Sequence, residues 1–274
     1  MLVDYHMHLA ADEARLEPAT LARAHVRRYV EVAAERGVAE ICVTEHLHRF
    51  AAARELLDQE WWQAVATDDV EAYRAALVAA RADGLPVLAG IELDWLPDEE
   101  QALAGWAGLG WDLVLGSVHW LGVLGVDHPA FPVWEAYDVV TVWERYFEEL
   151  VEAASSGLYD VMAHPDLPKV FGHRPPDDVR ARLYERAAEA FGAAGVAVEV
   201  STAGLRKAAA ELYPAPAFLA ACRRAGVPAT LASDAHRPED VGRDFDAAVA
   251  ALHDAGYRTL LRFDRRQRRE VPLG

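Results

Sequence analysis

Cysteine is almost absent: Cys42 and Cys222 are the only two in 274 residues. Two thiols cannot build a disulfide framework or a thiolate metal site. Cys42 sits in the apolar run Ile41-Cys42-Val43 and reads as core packing. Basic residues are also few, 27 Lys and Arg against 44 Asp and Glu, for a formal charge of −17. Nucleic acid and anionic lipid both need phosphate neutralisation by basic side chains, so neither is an expected partner. A small molecule is expected instead, and any phosphate on it must be met by locally fixed cations. No membrane-length apolar run, basic start or apolar signal segment occurs, and a cytoplasmic protein is expected. Low-complexity stretches, long linkers and short-period repeats are missing too.

What is present is a rhythm. With 53% hydrophobic residues, the chain can fill one barrel-sized core, and a single domain over residues 1–274 is expected. Short apolar runs alternate with longer amphipathic ones, the pattern of a parallel α/β fold. The expected strands are Leu2–His8, Ile41–Thr44, Val87–Glu92, Leu113–His119, Val161–His164, Val196–Val200 and Ala229–Ser233. Thr259–Phe263 is expected as an eighth strand or a closing segment. Helices are expected at Thr20–Arg36, Asp68–Ala82, Val140–Ser155, Asp177–Ala193, Pro214–Ala225 and Pro238–Asp254. Gly37, Gly195, Gly226 and Gly256 follow helical segments as left-handed stops, while Pro214 and Pro238 mark starts. The irregular stretch Gly122–Tyr137 reads either as a loop shaping an active-site rim or as a packed connection. Arg262, Arg265, Arg266, Arg268 and Arg269 read as a solvated tail or an intersubunit contact, so a homo-oligomer stays open.

Metal-competent side chains recur at the same end of nearly every expected strand: His6 and His8, Glu45 and His46, Glu92, His119, His164, Asp234 and His236. In a parallel barrel those ends converge on one face. Residues two apart on a strand share a side, so His6 with His8, and Asp234 with His236, can grip one ion. Imidazole and carboxylate without thiolate suit zinc, iron or manganese. The donors outnumber one tetrahedral shell, so two or three divalent ions are expected. Clustered ions can hold a hydroxide and clamp a phosphoryl group for in-line displacement, with no Ser or Cys nucleophile. Glu45 reads as an acceptor orienting a ligating imidazole. His25 and His253 read as surface residues, whereas His48, His128 and His173 lie on loops able to touch substrate.

These residues resemble the PHP (polymerase and histidinol phosphatase) superfamily, whose motifs match His6-Met7-His8, Glu45-His46, His119, His164 and Ser233-Asp234-Ala235-His236. Three stretches, beginning at His164-Pro165-Asp166, Ser201-Thr202-Ala203 and Ser233-Asp234-Ala235, look like the monofunctional histidinol-phosphatase branch. The likeness runs from His6 to about Phe245. It implies a distorted seven-stranded β/α (TIM-like) barrel with a trinuclear site. In that reading His6, His8, Glu92 and Asp234 hold the first ion, and Glu92 bridges to a second completed by His119 and His164. His46 and His236 hold the third, with Glu17 or Asp12 from a shortened segment after His8.

Lys169 and Arg206, placed by strand order and motif, are the expected phosphate cations. Glu199 binds a substrate amine or orients a ligand, and Trp120 forms an aromatic wall. Asp166, Glu199 or a metal-held water are open as the proton source for the leaving group. The activity implied is hydrolysis of L-histidinol phosphate to L-histidinol and phosphate, in histidine biosynthesis. Two readings compete: a phosphoesterase for nucleotides or cyclic phosphates, and a non-catalytic metal-binding accessory protein.

Overall fold

The computed structural model describes residues 1–11 and 14–273. Seven parallel strands form the central sheet: β1 (Leu2–Asp4), β2 (Val38–His46), β3 (Val87–Asp94), β4 (Leu113–Ser117), β7 (Val161–Met162), β8 (Ala197–Ser201) and β9 (Ala229–Ala232), adjacent in that order. Two more short strands, β5 (Trp120–Leu121) and β6 (Leu124–Gly125), make a hairpin that leads into the irregular 122–137 region. The sheet closes on itself beyond β1. Tyr5 N–H donates to Leu231 O at 3.1 Å, Asp234 N–H to His6 O at 2.9 Å and His8 N–H to Ala235 O at 2.7 Å.

Helices α1 (Arg23–Glu35), α2 (Glu60–Val65), α3 (Val70–Ala82), α4 (Glu100–Ala107), α5 (Val139–Ser155), α6 (Asp177–Ala194), α7 (Pro216–Arg224) and α8 (Phe245–Ala255) flank it. The Asp69 carboxylate caps α3 by accepting from Glu71 N–H and Ala72 N–H, and left-handed Gly195 and Gly256 end α6 and α8. None of the described helices is long and apolar enough to cross a membrane.

Both faces of the strands are buried, which is why they read as unbroken apolar runs. Ile41, Val43, Ile91 and Val198 pack outward in the large core that includes helical residues such as Tyr29, Tyr73 and Phe191. A second, smaller cluster lies inside the barrel: Val3, Tyr5, Cys42, Leu88, Leu113, Leu115, Val161 and Ala197, with Leu261 and Phe263. The interior is narrow. A Cβ on Gly90 would stand 2.7 Å from Cys42 Sγ and 2.8 Å from Thr44 Cγ2, so only glycine fits. Period-two alternation carries each interior row upward from apolar to polar. Cys42 leads through Thr44 to His46, Leu88 through Gly90 to Glu92 and Asp94, and Ala197 to Glu199.

Three expectations change. Of the two readings of Thr259–Phe263, the closing segment holds and the eighth strand does not: β10 (Thr259–Asp264) pairs antiparallel with β11 (Gln267–Pro272), and Leu261 and Phe263 plug the barrel floor. The arginines therefore belong to a docked hairpin rather than a tail. Arg262 lies 2.7 Å from Glu40 and Arg266 2.9 Å from Asp160. The helix expected from Pro238 is only a short turn at Pro238–Asp240, and α8 starts at Phe245. The intervening chain is held by Asp4, whose buried carboxylate accepts from Ser233 N–H and Gly242 N–H.

Candidate metal centre

Glu92 is the hub. It stands opposite His46 in the β2–β3 register, so both side chains rise from one face of adjacent strands. Glu92 Oε2 lies 2.6 Å from His46 Nδ1, 3.2 Å from His6 Nε2 and 3.7 Å from His8 Nε2. Its other oxygen lies 2.9 Å from His164 Nε2 and 3.5 Å from His119 Nε2. Asp234 Oδ1 closes the near side, 3.7 Å from His6 Nε2 and 3.5 Å from His8 Nε2. Two of these residues hold left-handed backbone, His164 at φ 26° and Asp234 at φ 50°. Such strain persists where neighbours over-determine it. Here His164 N–H donates to Glu199 Oε1 at 3.1 Å, and Asp234 N–H to His6 O.

Four triads bring one donor atom from each member within 4.8 Å: His6, His8 and Asp234; His6, Glu92 and His164; His46, Glu92 and His119; His8, His46 and His236. The donor chemistry fits divalent cations. His6 Nε2, His8 Nε2 and Glu92 Oε2 are buried without a hydrogen-bond partner among the described residues. Such groups are costly to bury unless something else binds them. Burial would push the His6 imidazole pKa down, yet Glu199, Glu92 and Asp234 raise it well above the ordinary value. The field there favours a positive charge. Zinc, iron and manganese all accept this nitrogen and oxygen set.

Behind the donors stands a row of carboxylates that hold the rings. Glu199 Oε2 is 2.8 Å from His6 Nδ1, Asp94 Oδ1 is 2.7 Å from His119 Nδ1, and Glu45 Oε2 is 3.5 Å from His8 Nδ1. Burial would raise the Glu45 pKa, but Arg49 and His8 bring it down to about 2. Arg49 is itself buried. Its Nε lies 2.8 Å from Glu45, and its other nitrogens donate to the carbonyls of Ala10, Ala11 and Ala14.

All the expected ligands except those after His8 meet at this centre. Glu17 is exposed, outside the four triads, because Leu16 turns inward and its N–H donates to Asp68 Oδ2 at 3.1 Å. Asp12 lies outside the described residues. At the expected third site, His8 accompanies His46 and His236 in their place.

The expected cations also move. Lys169 is fully buried, with Nζ bonded to Asp166 at 2.8 Å, Glu211 at 3.0 Å and Leu212 O at 2.6 Å. All three ammonium hydrogens are taken. Arg206 donates to Ser233 O at 2.7 Å and to Thr202 O at 3.3 Å. Both therefore brace backbone. Asp166 is buried and accepts from Lys169, Tyr184 O–H and Ala215 N–H, so as a proton source it too is displaced. Glu199 orients His6 and His164 instead of facing open space.

A cavity of about 580 Å³ opens over the centre, with His46, His119, His164, Asp234 and His236 on its floor. Trp61, Trp120 and His128 form one wall, and Asp127 and His48 also line it. The 122–137 region thus shapes the rim. His173 stacks on Trp134 at 4.5 Å and does not line the cavity. Sequence reasoning missed Asp94, Arg49, Trp61 and Asp127. Asp94 had a signal, since it follows Glu92 by two on the same strand face.

Residues 19–203 match the family model for the PHP domain. A Deinococcus radiodurans protein named "Probable histidinol-phosphatase" is 36% identical over 242 residues, which is 85% of this chain and 88% of that one. In fold the chain is similar to the histidinol phosphate phosphatase of Lactococcus lactis, solved with zinc, L-histidinol and phosphate. The TM-score is 0.77 at 18% identity, over 98% of both chains. A Listeria monocytogenes structure superposes with TM-score 0.73 at 18% identity, over 90% of this chain and 98% of that one. The match over most of the chain and the identity to the Deinococcus protein place this chain in the PHP domain family.

Proposed function

We propose that this chain is a metal-dependent phosphomonoesterase that hydrolyses L-histidinol phosphate to L-histidinol and phosphate. The observation that carries the proposal is the convergence of five imidazoles on one buried carboxylate, Glu92, beneath a cavity with an aromatic wall. The Deinococcus relative, similar over most of its length, bears the name of this activity.

His6, His8, Glu92 and Asp234 would hold one ion, Glu92, His119 and His164 a second, and His46 and His236 contribute to a third. Divalent ions there would supply Lewis acidity toward the phosphoryl oxygens and activate water as a nucleophile. The protein's own part is preorganisation. Glu199, Asp94 and Glu45 fix the imidazole rings, so the donors need not rearrange as charge develops. Hydrolysis transfers the oxygen of water to phosphorus and a proton to the histidinol alkoxide. The imidazole end of the substrate would lie along Trp61 and Trp120. Asp127, the lining carboxylate apart from Asp234, would face the substrate amine. Burial of these aromatic faces favours a flat ring over a bare phosphate ester. A cytoplasmic place in histidine biosynthesis belongs to the same proposal.

The test is phosphate release from L-histidinol phosphate, p-nitrophenyl phosphate, AMP and a cyclic phosphodiester by metal-loaded protein. We expect kcat/KM for histidinol phosphate to exceed the others by on the order of 100-fold. Preference for AMP or the diester would move the activity to another phosphoesterase. No turnover with full metal loading would leave an accessory protein.

A further inference from the structure

Three basic residues follow β7 and β8 near the cavity, and the fold gives them different work. Lys169 and Arg206 are bonded into the frame, and neither lines the cavity. Lys207 does line it, beside Phe171, Ala203 and Tyr213. It is the only lysine or arginine among the lining residues. Its side chain is exposed and makes no hydrogen bond or ion pair among the described residues.

The backbone that carries Lys207 is fixed on both sides. Lys207 N–H donates to Gly204 O at 3.2 Å, and Ala210 N–H donates to Lys207 O at 3.0 Å. The chain then folds back over Gly204, where a Cβ would stand 2.1 Å from Glu211 O, so glycine is required for the return. Ser201 and Tyr213 bridge antiparallel at the base of this loop. Lys169 ties down Leu212 on the returning limb, and Arg206 ties the outgoing limb to Ser233. A free ammonium on a fixed base is the result.

We propose that Lys207 supplies the protein's positive charge to the phosphate of the substrate, with Lys169 and Arg206 building the loop that presents it; this rests on the phosphomonoesterase reading above. The need for such a charge is clear from the surroundings. The chain carries −17 overall, and Asp127 lines the cavity outside the ligand set, whereas the charge of Asp234 would be taken up by the ion it holds. On its way to the ions on the cavity floor a phosphate dianion meets that field, and Lys207 is the lining side chain that offsets it. Lysine suits the role as a compact charge on a flexible stem, able to follow the phosphate from entry to release. An interaction made equally with substrate and product governs KM and phosphate inhibition more than kcat.

The experiment uses the zinc-loaded full chain and its Lys207→Met and Lys207→Arg variants. It measures kcat and KM for histidinol phosphate, inorganic phosphate binding by calorimetry, bound zinc per chain and Tm. Lys207→Met should raise KM and weaken phosphate binding about 10-fold or more, with zinc and Tm unchanged. Lys207→Arg should recover most of both. Unchanged KM and phosphate affinity in Lys207→Met would overturn the assignment. So would a loss of zinc in that variant, which would make the residue part of the metal scaffold. The substrate reading fails separately: wild-type protein that binds phosphate through Lys207 but ignores histidinol phosphate keeps this inference and loses the substrate.

Discussion

Asp94 Oδ1 lies 2.7 Å from His119 Nδ1, and this contact turns His119 Nε2 toward Glu92 Oε1, 3.5 Å away. A carboxylate behind a ligating imidazole fixes its tautomer and raises its basicity. Asp94→Asn keeps the shape and removes the charge. Metal affinity should fall about 10–100-fold, read by competition with a chromophoric chelator. Unchanged affinity would mean that His119 is positioned by packing alone.

Arg49 and Glu45 form a buried ion pair that also reaches the carbonyls after His8. Arg49→Met leaves the Glu45 charge without its main partner, and removing one member of a buried pair costs about 3 kcal/mol or more. Tm should drop by roughly 6–12 °C. A double variant with Glu45→Gln should recover part of that loss, because the uncompensated charge goes with it.

Away from the centre, Glu149 on α5 gives a pH signature. Burial raises its pKa to about 7, with Glu152 adding to the rise and Arg145 opposing it. The folded state then holds a proton that the unfolded chain releases near pH 4.5. Stability should therefore fall as pH rises from about 4.5 to about 7, and stay low above that. Glu149→Gln should flatten this slope and stabilise the protein at pH 8 by about 1–2 kcal/mol, allowing for solvent screening of a half-buried group. Denaturant unfolding at pH 5, 6, 7 and 8 reads it directly.

The strand ends were legible because each carries its chemistry just beyond an apolar run. In a barrel, period-two alternation and parallel order then force His6, His46, Glu92, His119, His164 and Asp234 onto one face. The basic residues were not legible in the same way. Whether Lys169, Arg206 or Lys207 faces the cavity depends on how Glu211–Tyr213 folds back over Gly204, a packing relation between residues distant in sequence. Glu17 failed for a local reason, since burying Leu16 leaves its neighbour in solvent. Thr259–Phe263 has the apolar pattern of a strand, but its partner is the arginine-rich β11, which reads as polar tail in isolation.

Chelation should expose how far the centre depends on its ions. Without them, buried imidazoles and carboxylates must be compensated by protons alone. Zinc present at a thousandfold excess over Kd should contribute about 4 kcal/mol of stability. EDTA-treated protein should melt lower, and stoichiometric zinc should restore the transition.

The most direct test is a titration of metal-free protein with zinc, following phosphate release from L-histidinol phosphate together with bound zinc per chain. The account predicts no turnover without metal and a rise that levels off only after at least two equivalents are bound, abolished by Glu92→Ala. Full turnover in the metal-free protein, or none with two or more ions bound, would contradict it.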